Sequence, residues 1–290
     1  MHPYTNIVDA ICASYDGLSD TEKKVADFII QNIDEVARLS VRDIAAQSET
    51  SSATVSRFVR HVGYDSFSEL RLAIASDQSG ADQNDGTTVT EVSLDNIDAS
   101  INYILDNKVQ ELSGTAAQLD ATKIRRAMDL IMGSSNILFA AVGNSIPVCS
   151  NFAFRLGQIG ISANCPVNTE LMILASLSLH RNDLVVIVSS SGYSHRLETI
   201  IDNAEDSGTP ILFITSNPTS ILAQRSNVVL TAVSRDQLLT GSQFATHVPE
   251  DFIVETLFMF LLAHGKNVYE HVRMERKSLG RDKENTPTFS

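Results

Sequence analysis

The chain has 290 residues, enough for about two domains, and its 43% hydrophobic and 20% charged content is that of a soluble protein with sizeable cores. A formal net charge of −13 excludes a broad, nonspecific nucleic-acid surface, though not a small DNA-reading module with a locally basic helix. No apolar run reaches the roughly 18 residues of a membrane span, and the opening residues Met1 to Asn6 lack the basic-then-apolar order of a secretory signal, so no membrane partner is expected.

The first elements are helical. Leu18–Asn32 opens with Ser19 and, three residues on, Glu22, the arrangement of a capping box. Val25, Phe28, Ile29 and Ile33 then recur at helical spacing, and a shorter helix is predicted over Ile33–Leu39. Ser40 and Asp43 make a second capping box for a helix running to about Gln47. A polar break follows at Ser48-Glu-Thr50. Ser51 caps a further helix whose inward residues are Val55, Phe58, Val59 and Val62, and Gly63 ends it. Ser66 or Asp65 then caps a helix from about Phe67. Two short helices, a tight turn and supporting helices are the parts of a helix-turn-helix.

Between Ser51 and Gly63 the chain carries Arg57, Arg60 and His61 and no acidic residue. Short hydroxyls at Ser51, Ser52 and Thr54 suit a groove entrance, and arginines suit guanine edges or phosphates. With Arg42 on the preceding helix, these are the candidate DNA-binding residues. The plainer alternative is a surface helix with solvated arginines and capping hydroxyls. Glu49 stands where many such turns carry glycine or another small residue.

From Ser76 to Glu91 large apolar residues almost vanish, as in a flexible linker. Asp95–Leu119 returns to helical spacing and is expected to pack on the second domain or pair with another chain. A helix over Thr122–Met132 follows. From Asn136 the period changes, and short apolar runs alternate with helical patterns. Strands are predicted at Ile137–Val142, Gly160–Asn164, Leu184–Val188, Pro210–Thr215 and Asn227–Ala232. Helices are predicted from Pro147 to about Gln158 and over Thr169–Leu179, Arg196–Ser207 and Glu250–His264. That alternation indicates a mostly parallel sheet covered by helices on both faces. Ligands of such sheets bind beyond the carboxyl ends of the strands. Gly143-Asn-Ser145 and Ser189–Ser194 both lie there, at helix starts where backbone N–H groups and hydroxyls suit a phosphate. The plainer alternative is a serine-rich turn with one N-cap.

Three stretches resemble the MurR/RpiR transcriptional regulators, which join an amino-terminal helix-turn-helix to a sugar isomerase (SIS) domain. They are Leu18–Ile29, Ser51–Leu70 and Val188-Ser-Ser-Ser-Gly-Tyr-Ser194, the last resembling the SIS phosphate loop Ser-x-Ser-Gly-x-Thr/Ser. The resemblance implies a helix-turn-helix domain over residues 1–76, a linker over 77–93, an SIS domain over 94–270 and a polar tail over 271–290. It implies Ser145 in a first phosphate loop and Ser189, Ser191 and Ser194 in a second, with Ser190 offering its backbone N–H. It also implies that a residue near the carboxyl-terminal helix completes the site, with Glu250 as the candidate. The implied partners are double-stranded operator DNA, a hexose or amino-sugar 6-phosphate, and further copies of the chain as a homodimer or homotetramer. The sequence departs from the family in reading Thr246-His247 where a Ser-Arg pair is common. It also places Arg196 where a glutamate usually follows the second loop, so His195 and Arg196 are open to an anionic or amino-sugar group.

The competing function is a phosphosugar isomerase, whose base would be sought among Glu250, His247, Glu170 and His195. Each has a structural alternative; an acid at Glu250 simply favours a helix start. A nicotinamide-binding domain fails because Gly143-Asn-Ser-Ile-Pro-Val148 lacks the second and third glycines of that fingerprint. Seven scattered histidines and three widely spaced cysteines, Cys12, Cys149 and Cys165, suggest neither a metal site nor a disulfide framework. Buried structural thiols in a reducing cytoplasm are the expectation, with no resident cofactor or metal and no enzymatic role.

Overall fold

The computed structural model describes residues 7–36, 38–78, 92–235, 246–264, 271–274 and 277. The linker expected over 77–93 and the polar tail fall largely outside them. The chain divides into two compact units, Met1–Gln118 with Ala232–Pro249, and Leu119–Thr231 with Glu250–Ser290.

The first unit contains helices α1 (Ile7–Ser14), α2 (Asp20–Gln31), α3 (Ile33–Val36), α4 (Val41–Gln47), α5 (Ser52–His61), α6 (Phe67–Gln78) and α7 (Ile97–Gln118). Its core joins Val25, Ala26 and Ile29 of α2 to Ile44 and Ala45 of α4 and to Val55, Phe58 and Val59 of α5. Both capping boxes form: Glu22 accepts from the Ser19 amide and Asp43 from the Ser40 amide. Helix α3 stops at Val36, short of Leu39, because Ser40 must be extended (φ −89°, ψ 163°) to cap α4.

Glu49, in the turn between α4 and α5, has φ +52°. That is the left-handed region, which explains why glycine is favoured at this place in such turns. The Lys24–Glu49 ion pair (3.6 Å) is largely exposed and offsets little of this. Replacing Glu49 with glycine is therefore expected to stabilise the unit by about 0.5–1 kcal/mol, read as a higher urea midpoint. An unchanged or lower midpoint would show that the turn is unstrained.

Helix α7 clusters with this first unit, whereas the sequence placed residues 94–118 with the second. Its amphipathicity is inverted: Ser100, Asn107, Glu111 and Thr115 are buried, while Ile97, Ile101, Leu105 and Val109 are 50–56% exposed. The buried polar groups have partners. The Val233 amide donates to Thr115 Oγ1 (2.9 Å), the Arg235 amide to Glu111 Oε1 (2.6 Å), and Lys108 to Glu111 Oε2 (2.7 Å). Lys108 also donates to Thr246 Oγ1 (2.6 Å).

The second unit is built on five parallel strands: β1 (Ile137–Ala141), β2 (Ala163–Asn164), β3 (Leu184–Val188), β4 (Ile211–Thr215) and β5 (Val228–Thr231). Their order is β2-β1-β3-β4-β5. The helices are α8 (Ala121–Gly133), α9 (Ile146–Gln158), α10 (Thr169–Ser176), α11 (His195–Ser207), α12 (Ile221–Gln224) and α13 (Val248–His264). Every residue of β1, β3 and β4 is buried, as strands covered on both faces require. On one face Leu138, Ala140, Val185, Ile187 and Phe213 meet Leu197, Ile200 and Ala204 of α11. On the other, Phe139 packs edge-to-face on Phe152 of α9 at 5.4 Å.

Two elements are three residues shorter than the sequence suggests. Strand β2 has two residues, because the chain before it closes α9: Gly160 has φ +82° and the Ile161 amide returns to the Leu156 carbonyl (3.0 Å). Helix α10 ends at Ser176, after which Leu177, Ser178 and Leu179 donate three residues back in a tightened turn. Among the described residues, no helix is long and apolar enough to cross a membrane.

Candidate functional site

Strands β1 and β3 are neighbours in register from Ile137↔Leu184 to Ala141↔Val188, so the loops after them begin side by side. The chain leaves β1 toward β2 on one side and leaves β3 toward β4 on the other. This is the topological switch point, where a crevice opens beyond the strand ends. Gly143–Ser145 forms a short turn there, with Gly143 at φ +62°, and Ser145 is buried at the start of α9. Its hydroxyl is not spent on capping that helix.

The second loop is held by its own backbone. The Ser189 amide donates to the Ile214 carbonyl (3.0 Å), and the Gly192 amide closes a turn onto the Ser189 carbonyl (3.1 Å). The Ser190 carbonyl accepts from the Ser216 amide (3.2 Å) and Thr215 Oγ1 (3.3 Å), and the Ser191 carbonyl from Asn217 Nδ2 (3.2 Å). Ser189 is buried, Ser190 half-buried and Ser191 exposed. Ser194 is the N-cap of α11, its Oγ accepting from the Arg196 amide (3.3 Å). That helix starts at His195, one residue earlier than the sequence suggested.

Glu250 reaches this loop from α13. It is 1% exposed, and its Oε1 accepts a short hydrogen bond from Ser190 Oγ. The Ser190 side chain, expected to stand aside while its N–H did the work, thus links the loop to Glu250. His195 and Arg196 are engaged on the protein. His195 Nδ1 is 2.9 Å from the Tyr193 hydroxyl and 3.3 Å from Glu198, and Arg196 pairs with Glu170 at 3.3 Å. Sequence reasoning missed the loop after β4. Asn217 braces Ser191, Ser220 lies beneath Gly192, and the Ser216 hydroxyl is buried without a hydrogen bond among the described residues. Its polar run at a strand's carboxyl end was the available signal.

In the first unit, Ser51 accepts from the Thr54 amide (3.1 Å) and so caps α5. Ser51, Ser52, Arg57 and Arg60 are exposed on α5, and Arg42 is exposed on α4. Arg57 and Arg60, three residues apart, share a face. Thr54 is placed otherwise than its candidacy required: it is buried, its hydroxyl lies 2.9 Å from Ser51 Oγ, and it accepts from Arg57 Nη2 (3.4 Å). It orients its neighbours rather than facing solvent. His61 is tied back to Glu22 (3.0 Å). Burial would raise the Glu22 carboxyl, but Ser19 and His61 together hold it below the ordinary value. The cysteine expectation holds in part: Cys149 is buried, while Cys12 and Cys165 are partly exposed.

A helix-turn-helix unit followed by a parallel α/β unit with two hydroxyl-bearing loops at its switch point is the layout of a ligand-responsive transcriptional regulator. Residues 5–81 match the helix-turn-helix domain of the rpiR family, and residues 130–250 match the SIS domain. An HTH-type transcriptional regulator of Clostridium perfringens is 21% identical over 238 residues, covering 82% of this chain and 85% of that protein. NanR of Vibrio vulnificus, solved in complex with ManNAc-6P, is similar over 94% of this chain and 98% of its own, at 26% identity and a TM-score of 0.58. The sugar isomerase domain of an RpiR transcription factor from Sphaerobacter thermophilus covers 61% of this chain and 98% of its own, with 19% identity and a TM-score of 0.56. The chain belongs to the RpiR family of transcriptional regulators: an rpiR-type helix-turn-helix domain followed by an SIS domain.

Proposed function

We propose that the chain is a cytoplasmic regulator of sugar metabolism, in which a phosphosugar at the serine loops of the SIS domain biases binding of operator DNA by the amino-terminal domain. The observation that carries this reading is the adjacency of the Ser145 and Ser189–Ser194 loops at the switch point, in a chain that also presents Arg57 and Arg60 on an acid-free helix. Residues 1–76 read DNA through Arg42, Ser51, Ser52, Arg57 and Arg60, with Thr54 orienting Arg57. In the SIS domain, Ser145, Ser189, Ser191 and the N–H groups at the start of α11 take the phosphate. Ser190 and Glu250 then meet the sugar. The ligand is a hexose or amino-sugar 6-phosphate, and ManNAc-6P, bound by the Vibrio protein, is the first to try. A ligand acts this way only if it binds the DNA-competent and incompetent arrangements unequally.

A second copy of the chain is expected as partner, in a dimer or tetramer. The outward Ile97, Ile101, Leu105 and Val109 stripe of α7 calls for apolar cover, and two copies present two recognition helices to successive half-sites. Turnover is not expected. Glu250 and His195, two of the bases considered for an isomerase, are engaged by Ser190 and by Tyr193 and Glu198.

A thermal-shift panel of hexose and amino-sugar 6-phosphates tests the reading. A ligand at 100 times its Kd adds about 2.7 kcal/mol of stability. The shift should disappear in Ser145→Ala and Ser191→Ala proteins. A shift retained in both would remove the loops from the site, and isomerisation of the ligand by pure protein would replace the sensor with an enzyme.

A further inference from the structure

The serine loop after β3 is gripped from the β4 side. The Thr215 hydroxyl and the Ser216 amide both donate to the Ser190 carbonyl (3.3 and 3.2 Å), and Asn217 Nδ2 donates to the Ser191 carbonyl (3.2 Å). All three donors stand at the carboxyl end of β4, and Thr215, its last residue, is fully buried. The Thr215 hydroxyl also accepts from the Asn217 amide (3.0 Å), and Asn217 Oδ1 accepts from Thr219 Oγ1 (3.0 Å). A hydroxyl donor at Oδ1, and a carbonyl that can only accept at Nδ2, leave the Asn217 side chain one orientation. Two successive carbonyls of the serine loop are thereby turned toward β4.

Peptide geometry decides where the N–H groups go. The C=O and N–H of a trans peptide lie in one plane and point in opposite directions. With the Ser190 carbonyl turned toward β4, the Ser191 N–H is turned away from it. Strand β3 lies between β4 and β1, so that direction leads toward β1, whose loop carries Ser145. The Gly192 amide is taken by the Ser189 carbonyl (3.1 Å), whereas the Ser191 N–H makes no hydrogen bond among the described residues. Ser191 is also exposed, so this N–H is a donor within reach of an anion.

We propose that Thr215 and Asn217 are positioning residues of the phosphosugar site: by holding the Ser190 and Ser191 carbonyls on the β4 side, they present the Ser191 N–H to a phosphomonoester between the β1 and β3 loops. Left to rotate, the same peptide would turn its C=O on the anion for part of the time, and binding would have to fix it. Held in advance, it meets the phosphate without that ordering. The role toward phosphate rests on the phosphosugar reading; the hold on the loop does not.

Near-isosteric variants of the full-length protein test this. Asn217→Asp keeps the shape and the acceptor for Thr219 but sets a carboxylate oxygen against the Ser191 carbonyl. Thr215→Val removes the hydroxyl, and Thr215→Ser returns it. Hydrogen exchange without ligand is read in peptides over residues 189–194, with those over 137–141 and 184–188 as references. Asn217→Asp and Thr215→Val should exchange about fivefold faster in the loop, with the references unchanged and Thr215→Ser near the parent. Parent rates in the loop of both variants would overturn the proposal, and so would an equal rise in the references, the mark of a general loss of stability. ManNAc-6P and inorganic phosphate are then titrated by calorimetry. Both variants should weaken both ligands by the same factor, about tenfold, because the Ser191 N–H meets only the phosphate. A loosened loop with parent affinities would also overturn the proposal. A parent chain that binds neither ligand counts against the phosphosugar reading, while the exchange rates still decide whether Thr215 and Asn217 position the loop.

Discussion

Replacing Gly192 with alanine is expected to destabilise the SIS domain by about 2–5 kcal/mol and to abolish the response to phosphosugar. Gly192 has φ +77°, and an alanine held there costs about 1–2 kcal/mol in backbone strain alone. Its Cβ would stand 2.5 Å from Ser220 Oγ, 2.7 Å from Ser220 Cβ and 3.1 Å from the Asn217 carbonyl, closer than a packed interior allows. Overpacking of this kind costs about 1–3 kcal/mol. Ser220 has little freedom to retreat, because its hydroxyl accepts from the Ala223 amide (3.2 Å) and caps α12. Nor can the loop lift away cheaply, since the Gly192 amide holds the Ser189 carbonyl and Asn217 holds Ser191. A Gly192→Ala, Ser220→Gly double variant, compared with Ser220→Gly alone to account for the lost α12 cap, separates the two costs: it relieves the Ser220 contacts and leaves the backbone part. Urea unfolding of the SIS domain measures both. An unchanged midpoint in Gly192→Ala would mean that the turn does not need its glycine.

What the sequence revealed and what it hid follow one physical division. Features fixed within a few residues were legible. Ser19 with Glu22 and Ser40 with Asp43 are capping boxes because both partners sit in one helical turn. Leu184–Val188 reads as a buried strand because all five residues are apolar, and all five are buried. Even the strain at Glu49 left a trace, as an acid where glycine is favoured. Features made by folding distant segments together were not legible in detail. Glu250 was a candidate by its place near the last helix, but its partner Ser190 lies 60 residues away. His61 looked like part of a basic face until folding set it against Glu22, 39 residues earlier. Thr54 looked like a groove hydroxyl, yet helical geometry turns it inward beside Val55 and Phe58. Helix α7 misled most: its apolar residues marked a helix correctly, but the buried side is the polar one.

The second large effect is expected on DNA. Arg57 and Arg60 are exposed, lie one helical turn apart and have no acid on their helix. A bidentate arginine–guanine contact is worth about 1–3 kcal/mol. Alanine at either position should then weaken operator binding by about tenfold or more, since each 1.4 kcal/mol is a factor of ten. The manner of the loss assigns each role. An arginine on a base edge, once removed, relaxes preference at one position of the operator. An arginine on a phosphate weakens all sequences alike and lowers the salt slope by about one unit. Arg57 is the better placed for a base edge, because Thr54 Oγ1 accepts from its guanidinium and holds it, while no such bond holds Arg60 among the described residues. Thr54→Val should therefore reproduce part of the Arg57→Ala loss although Thr54 is itself buried, and should leave Arg60 unaffected. All three proteins should keep whatever phosphosugar-dependent thermal shift the parent chain shows, since the serine loops lie in the other domain. Operator titrations at two or more salt concentrations measure the affinity and the slope together. Undiminished affinity in the Arg57→Ala, Arg60→Ala double variant would take α5 out of the DNA interface and require another basic surface in a chain whose net charge is −13.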